Sequence, residues 1–290
     1  MCIFAGLGEL ELITICHAMK IRFTKMHGAG NDYIYVDATR YHIPDPAAAA
    51  VAWSHRHYGI GGDGLVLIGR PDAALADFSM RLFNADGSEA AMCGNASRCI
   101  GKLVYEMGLT RERHLRLSTP SGVKLLELEV DEHDQVTSVT VDMLAPVLAH
   151  ERQFLPTGEP LPDGYFVSMG NPLYVIFVDN LDRADVATMG ARLEHHPRFP
   201  QRCNIVFAQL VSDGLRVRVW ERGSGITLAC GTGACAAVVA AVRAGLAPRH
   251  CDVIMDGGTL HVDWRESDGH LLLGGPSTIV YTGEIDLQTS

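Results

Sequence analysis

The chain has 290 residues, enough for two domains of ordinary size, and its 47% apolar and 20% charged residues are typical of a folded globular protein. Its net charge of −10 comes without a basic tract, which excludes a nucleic-acid partner because phosphate binding needs clustered Lys and Arg. No stretch approaches the roughly 20 continuous apolar residues of a membrane-spanning helix, so no membrane association is expected. The eight cysteines match neither a zinc pattern nor a disulfide scaffold, which favours free thiols in a reducing cytoplasm.

The chain begins with an apolar segment at residues 1–19 that is interrupted by two acids and lacks a basic region. We interpret it as an N-terminal extension rather than a secretory signal. Strands are predicted at 20–26 and 33–37, with a glycine turn between them. A helix is predicted over 46–58, because Pro46 suits the first helical position.

The rest of the first half combines strands with one long helix. A glycine-dense turn at 59–64 is too flexible for a helix or strand, and we interpret it as lying on the substrate side. The other elements predicted here are strands 65–68 and 78–83, a helix at 95–107 ending before Gly108, and strands 113–118, 123–130 and 136–143.

The second half repeats this order after an irregular, proline-rich stretch at 146–164. Its predicted elements are strand 173–178, helix 183–195, strands 204–210 and 215–220, helix 232–244, and strands 251–255, 259–264, 270–273 and 278–282. This order predicts an α/β (α+β) fold of two pseudo-symmetric domains, each a curled mixed sheet around a central helix. The predicted bounds are 20–139 with 275–290 for the first domain and 140–274 for the second.

Two segments 137 residues apart each bring a cysteine followed by glycine, Cys93-Gly94 and Cys230-Gly231, to the start of a predicted helix. Unpaired backbone N–H groups at such a start lower the pKa of a thiol and can bind a carboxylate. A single cysteine of this kind is more often a buried structural residue. The duplication instead favours two thiols that face each other across a pseudo-twofold axis, an arrangement suited to moving a proton between two faces of a carbon.

Polar residues surround the two motifs in predicted turns, and together they resemble a set that binds a zwitterion. Arg can hold a carboxylate, Glu can hold an ammonium group, and Asn can serve either. The members of this set are Asn31, Asn84, Asn171, Asn204, Glu221 and Arg222. By contrast, Cys99 and Cys235 lie on apolar helix faces and are expected to be structural.

The segments 27–32, 83–99, 169–172 and 221–235 closely resemble those of diaminopimelate epimerases, and the similarity covers about residues 20–283. The resemblance implies a homodimeric epimerase that needs no pyridoxal phosphate and no metal, with the active site in the cleft between its domains. It implies that Cys93 and Cys230 are the paired acid and base, and that Asn31 lies near the reacting centre.

The resemblance also implies two groups of substrate-binding residues for LL- or meso-2,6-diaminopimelate. The reacting α-carboxylate would be held at the helix starts by Gly94, Asn95, Gly231 and Thr232. The distal amino acid end would be held by Asn84, Asn171, Asn204, Glu221 and Arg222.

Three positions depart from the family pattern: Leu173 stands where His is usual, Ile226 where Glu is usual, and Ala96 where Gly is usual. Because Leu173 would desolvate Cys93 and Glu221 could accept a proton from Cys230, we expect Cys230 to be the more readily ionised thiol.

Three alternatives stay open from the sequence. The first is a racemase of another amino acid, such as histidine, for which the departure at Leu173 is the distinguishing feature. The second is a thiol-based metal-binding or redox module, although no His lies at a suitable spacing from either cysteine. The third is a catalytically weakened homologue with a binding role.

Overall fold

The computed structural model describes residues 19–71 and 74–287. The predicted extension therefore lies outside the described residues except for Met19, which begins the first strand. No helix in these two ranges is both long and apolar enough to cross a membrane.

The described part of the first half contains eight strands and two helices. They are β1 (Met19–Gly28), β2 (Asn31–Asp37), α1 (Pro46–Ser54), β3 (Gly64–Gly69), β4 (Phe78–Asn84), β5 (Glu89–Ala90), α2 (Gly94–Glu106), β6 (His114–Thr119), β7 (Gly122–Val130) and β8 (Val136–Asp142).

The second half repeats that order and adds one strand at the end. Its elements are β9 (Tyr165–Ser168), β10 (Pro172–Phe177), α3 (Val186–Glu194), β11 (Asn204–Val211), β12 (Gly214–Glu221), β13 (Gly225–Thr227), α4 (Gly231–Arg243), β14 (His250–Met255), β15 (Gly258–Trp264), β16 (Leu271–Gly275) and β17 (Thr278–Leu287).

The strand pairings of the two halves are identical in type. The pairs β2–β3 and β4–β6 are parallel, as are their counterparts β10–β11 and β12–β14. The hairpin β1–β2 is antiparallel, as is β9–β10. The structure thus confirms the predicted mixed fold of two repeated domains.

Two pairings tie the halves into one hydrogen-bonded ladder. Antiparallel β8 and β16 join the two sheets, with Leu272 opposite Asp142. The last strand, β17, returns to the first half and pairs along the whole length of β1.

Side chains alternate between the two faces of each strand, and one face of each sheet packs on a central helix. On β2, Tyr33 and Tyr35 face the core that contains α2, whereas Ile34 and Val36 face the core under α1. Because α2 and α4 share one large core, the sheets curl around both helices, while α1 and α3 cover the outer faces.

Most predicted elements lie within a few residues of the observed ones, but the helix predicted over 46–58 ends at Ser54. His55 takes an extended conformation, and Arg56 turns away to bond Asp32 and Asp63. The short strands β5, β9 and β13 were missed because two to four residues are too few to show a period.

Candidate active site

Both motif cysteines are N-cap residues, as predicted. Cys93 has φ −143° and ψ 117° and precedes α2, and Cys230 has φ −132° and ψ 109° and precedes α4. Their side chains therefore lie beside the unpaired N–H groups of a helix start.

The starts of α2 and α4 meet across the boundary between the two halves. A Cβ placed on Gly231 would lie 4.0 Å from the Cα of Gly94, and Leu273 packs against both glycines. Next to this contact, the Asn95 side chain donates from Nδ2 to the carbonyl of Ala229, the residue before Cys230, at 3.4 Å. The fold therefore brings both cysteine motifs to a single site.

The groups that hydrogen-bond the Cys93 thiol are polar and neutral. Its Sγ lies 3.5 Å from the Asn31 Oδ1 atom, and the backbone N–H of Ala96 donates to the same Sγ at 3.5 Å. Burial raises the pKa of the Cys93 thiol, and the Ala96 N–H opposes this increase because it stabilises a thiolate.

The Cys230 thiol instead lies against a carboxyl group. Burial raises its pKa well above the ordinary value, and the neighbouring Glu221 adds to the increase because its negative charge disfavours a thiolate. The side chain of Thr232 also contacts Cys230, with its Oγ1 at 3.5 Å from Sγ.

These contacts bear on the expected order of ionisation. We expected Cys230 to be the more readily ionised thiol because Glu221 could accept its proton. Burial instead raises the pKa of both thiols, and at Cys230 the charge of Glu221 adds to the increase. The carboxyl next to Cys230 therefore favours the protonated thiol, which is the opposite of the role expected of it.

Two of the predicted substrate-binding amides are already fully bonded within the protein. Asn95 donates to Asn31 and to Ala229 and accepts from Arg98, so its side chain is held within the protein. Asn204, 4% exposed, donates to the Pro172 carbonyl and accepts from the Arg222 backbone N–H, so it shapes the chain around it.

The other predicted residues retain free groups. Asn84 donates to Ser88, and Asn171 donates to Thr232, but the amide oxygen of each has no partner among the described residues. The exposed Arg222 bonds the Gln201 carbonyl through one guanidinium nitrogen.

Glu221 accepts from Thr227 at 2.6 Å and lies beside the Cys230 thiol. The structure therefore places Glu221, a member of the predicted distal set, beside a cysteine. The residues predicted to bind a zwitterion differ from the expected turns in one respect, since Asn31, Asn84, Asn204 and Glu221 are strand-end residues.

The departures Leu173 and Ile226 lie in different surroundings. Leu173 is fully buried in the core that also contains Cys230. Ile226 is 49% exposed on β13. Its neighbour Thr227 donates a hydrogen bond to Glu221.

Sequence reasoning missed two residues next to Cys93. Asp63, in the glycine-dense turn, accepts from the Asn31 amide nitrogen at 2.7 Å. Tyr33 is buried next to Cys93 and Asn31, and burial raises the pKa of its phenol well above the ordinary value. A period-2 count from Asn31 along β2 could have identified Tyr33, because residues i and i+2 share a face.

The cysteines predicted to be structural are buried inside the helices. Cys99 and Cys235 are both 0% exposed, and burial raises the pKa of Cys235 to about 12. Within the two described ranges, no three His, Cys, Asp or Glu side chains are arranged to hold a metal ion.

Comparison with known proteins identifies one family along the chain. The family model described as diaminopimelate epimerase matches residues 23–149 and 165–286. The diaminopimelate epimerase of Bacteroides thetaiotaomicron is 56% identical over 269 residues, covering 92% of this chain and 98% of that protein. The diaminopimelate epimerase of Methanococcus maripaludis is 45% identical over 280 residues, covering 92% and 100%.

Solved structures with low sequence identity share the fold. A Bacillus anthracis phenazine biosynthesis protein of the PhzF family has a TM-score of 0.68 at 16% identity and covers 92% of this chain and 99% of that one. A hydroxyproline epimerase from Agrobacterium vitis, with bound trans-4-hydroxy-L-proline, has a TM-score of 0.67 at 15% identity and covers 92% of each chain.

Proposed function

We propose that this chain, which belongs to the diaminopimelate epimerase family, interconverts LL- and meso-2,6-diaminopimelate by moving one α-proton between two cysteines. The observation that carries the proposal is the meeting of α2 and α4, each capped by a motif cysteine, across the boundary between two repeated domains. Two bases on opposite sides of one carbon can take a proton from one face and return another to the opposite face.

In the proposed mechanism, the Cys93 thiolate removes the α-proton and the Cys230 thiol donates its proton to the opposite face. The reverse direction exchanges these roles, so the ionisation of the two thiols is coupled. The carboxylate charge that develops is stabilised by the helix-start N–H groups of Gly94, Asn95, Gly231 and Thr232. Glu221 keeps Cys230 protonated until it donates.

The distal end of the substrate is bound by Arg222 and by the free amide oxygens of Asn84 and Asn171. Arg222 forms a charged pair with the distal carboxylate, and the two amide oxygens accept from the distal ammonium group. The bonded amide of Asn204 holds the Arg222 backbone in place for this contact.

The proposal includes a cytoplasmic homodimer that acts without pyridoxal phosphate or metal, with domains at 20–139 plus 275–290 and at 140–274. Among the described strands, β17 pairs with β1 alone, and its exposed Ile279, Val280 and Tyr281 support a subunit interface at that edge. A reducing compartment is consistent with the reactive thiols.

The test is to incubate the protein with LL-diaminopimelate in D2O, without added pyridoxal phosphate, and to follow the loss of the α-proton signal by NMR. A panel of L-amino acids, histidine included, is measured in parallel, with Cys93→Ser and Cys230→Ser as inactive controls. Exchange on diaminopimelate that requires both cysteines supports the proposal. Exchange on another amino acid instead, or exchange that survives both substitutions, would overturn it.

A further inference from the structure

The orientation of the Asn31 amide decides which of its two ends meets Cys93. Its nitrogen, Nδ2, donates to Asp63 Oδ2 at 2.7 Å, and its oxygen, Oδ1, faces the Cys93 Sγ at 3.5 Å. A carboxylate can only accept, so the amide nitrogen must point to Asp63 and the oxygen must point to the thiol. The same oxygen accepts from the Asn95 Nδ2 at 3.3 Å, which agrees with this orientation.

The Asp63 carboxylate has both oxygens engaged. Besides Asn31, Oδ2 accepts from the Asp32 backbone N–H at 3.1 Å, and Oδ1 accepts from the Arg56 guanidinium at 3.0 Å. Arg56 is held in turn by a two-bond contact with Asp32. Asp63 therefore acts as an acceptor that is held in place by three donors within the protein.

An amide oxygen and an amide nitrogen have opposite effects on a neighbouring thiol. The oxygen accepts from S–H and repels a thiolate, whereas N–H donates to a thiolate and stabilises it. The end of Asn31 that faces Cys93 therefore influences how tightly that sulfur holds its proton.

We propose that Asp63 is a positioning residue that fixes the Asn31 oxygen against Cys93 and thereby sets the proton affinity of this thiol. The inference rests on the proposed function, in which Cys93 must both take up and release a proton. A cysteine with that task cannot be too acidic. Without Asp63, only the long bond from Asn95 opposes a turn of the amide that brings its nitrogen to the sulfur. Cys93 would then be ionised more often and would be a poorer proton donor in the direction that needs Cys93 as the acid.

Other ionisable groups also act on Cys93 and must stay constant in the test. These groups are Glu221 on β12, Arg98 on α2, and the phenols of Tyr33 and Tyr35 on β2. Loss of the Asp63 charge would itself favour a thiolate, so a single substitution cannot separate charge from amide orientation.

A double-mutant cycle makes that separation. In Asp63→Asn, the new side chain keeps only one oxygen, whereas Arg56 and the Asp32 backbone N–H donate to opposite sides of the native carboxylate, so the acceptor that fixes the Asn31 nitrogen is lost. Iodoacetamide labelling of Cys93 is measured across pH, by mass spectrometry of the isolated peptide, in wild type, Asp63→Asn, Asn31→Ala and the double variant. We expect Asp63→Asn to increase the Cys93 labelling rate at neutral pH by about 3- to 10-fold, as one hydrogen bond to a thiolate would. In the Asn31→Ala background only the effect of the lost charge remains, so we expect a smaller increase than in the wild-type background.

Asp77→Asn is the matched control, because Asp77 also accepts from one arginine and one backbone N–H but pairs with Arg116 on β6. It should leave Cys93 labelling unchanged. Asp63→Ser is the second variant should the asparagine variant fold poorly. An unchanged labelling rate, or an equal increase in the Asn31→Ala background, would overturn the proposal. Labelling needs no substrate, so this result is independent of whether diaminopimelate is turned over.

Discussion

Gly231→Ala adds only one methyl group but should reduce both stability and activity strongly, because the point where α2 and α4 meet has no room for that group. The added Cβ would lie 2.7 Å from the Leu273 Cδ2 atom, well inside ordinary contact distance, so the helix start or Leu273 must move by roughly 1 Å. Overpacking of this kind typically costs about 1–3 kcal/mol of folding free energy. A shift of about 1 Å in a catalytic group can reduce the rate about 100-fold.

Two further variants test whether this clash is the cause. Gly94→Ala meets the same Leu273 atom at 3.1 Å, so we expect a smaller loss of stability and activity. Leu273→Val removes that atom, and the double variant Gly231→Ala/Leu273→Val should recover most of the activity that Gly231→Ala loses. Thermal melts and kcat/KM for diaminopimelate measure both effects. Full activity in Gly231→Ala, or a double variant no better than Gly231→Ala alone, would refute the packing argument.

The site supports three more predictions. Glu221→Gln removes the charge that raises the Cys230 pKa, so iodoacetamide should label Cys230 from a lower pH than in wild type; an unchanged pH dependence would show that burial alone controls this thiol. Arg222→Ala should cost about 2–4 kcal/mol in kcat/KM with diaminopimelate and much less with a short amino acid, whereas equal losses would place Arg222 at the reacting centre. Activity should fall on treatment with diamide and return with dithiothreitol, since two thiols at one site can form a disulfide; insensitivity to diamide would argue against paired thiols.

The positions of the two cysteines at helix starts were predictable from the sequence, because every signal involved was local. A strand, a short turn and a Cys-Gly pair before a helix predict an N-cap without knowledge of the rest of the chain, and the duplication predicts the second site. The fold class followed from the same repetition. These inferences did not depend on which side chains meet in three dimensions.

The contacts that control ionisation depend on distant packing and were not predictable. Arg56 reaches Asp63 only because α1 ends early, and the alanine-rich sequence before it gave no sign of that end. Likewise, the pairing of Glu221 with Cys230 depends on how β12 and β13 place that carboxyl against the start of α4. The effect of Glu221 on Cys230, opposite to the one expected, follows from this placement.

The pairing of β1 with β17 has a consequence for the order in which the protein folds. Met19 lies opposite Leu287, so β1 leaves the ribosome long before the strand that completes it. Pairings this distant in sequence form late, because a long loop must close first. We expect the second repeat to become compact while one edge of β1 is still open, so that a chain ending before residue 278 would show unprotected amides on the β17-facing edge of β1 in hydrogen exchange. Protection of those amides in the shortened chain would contradict this order.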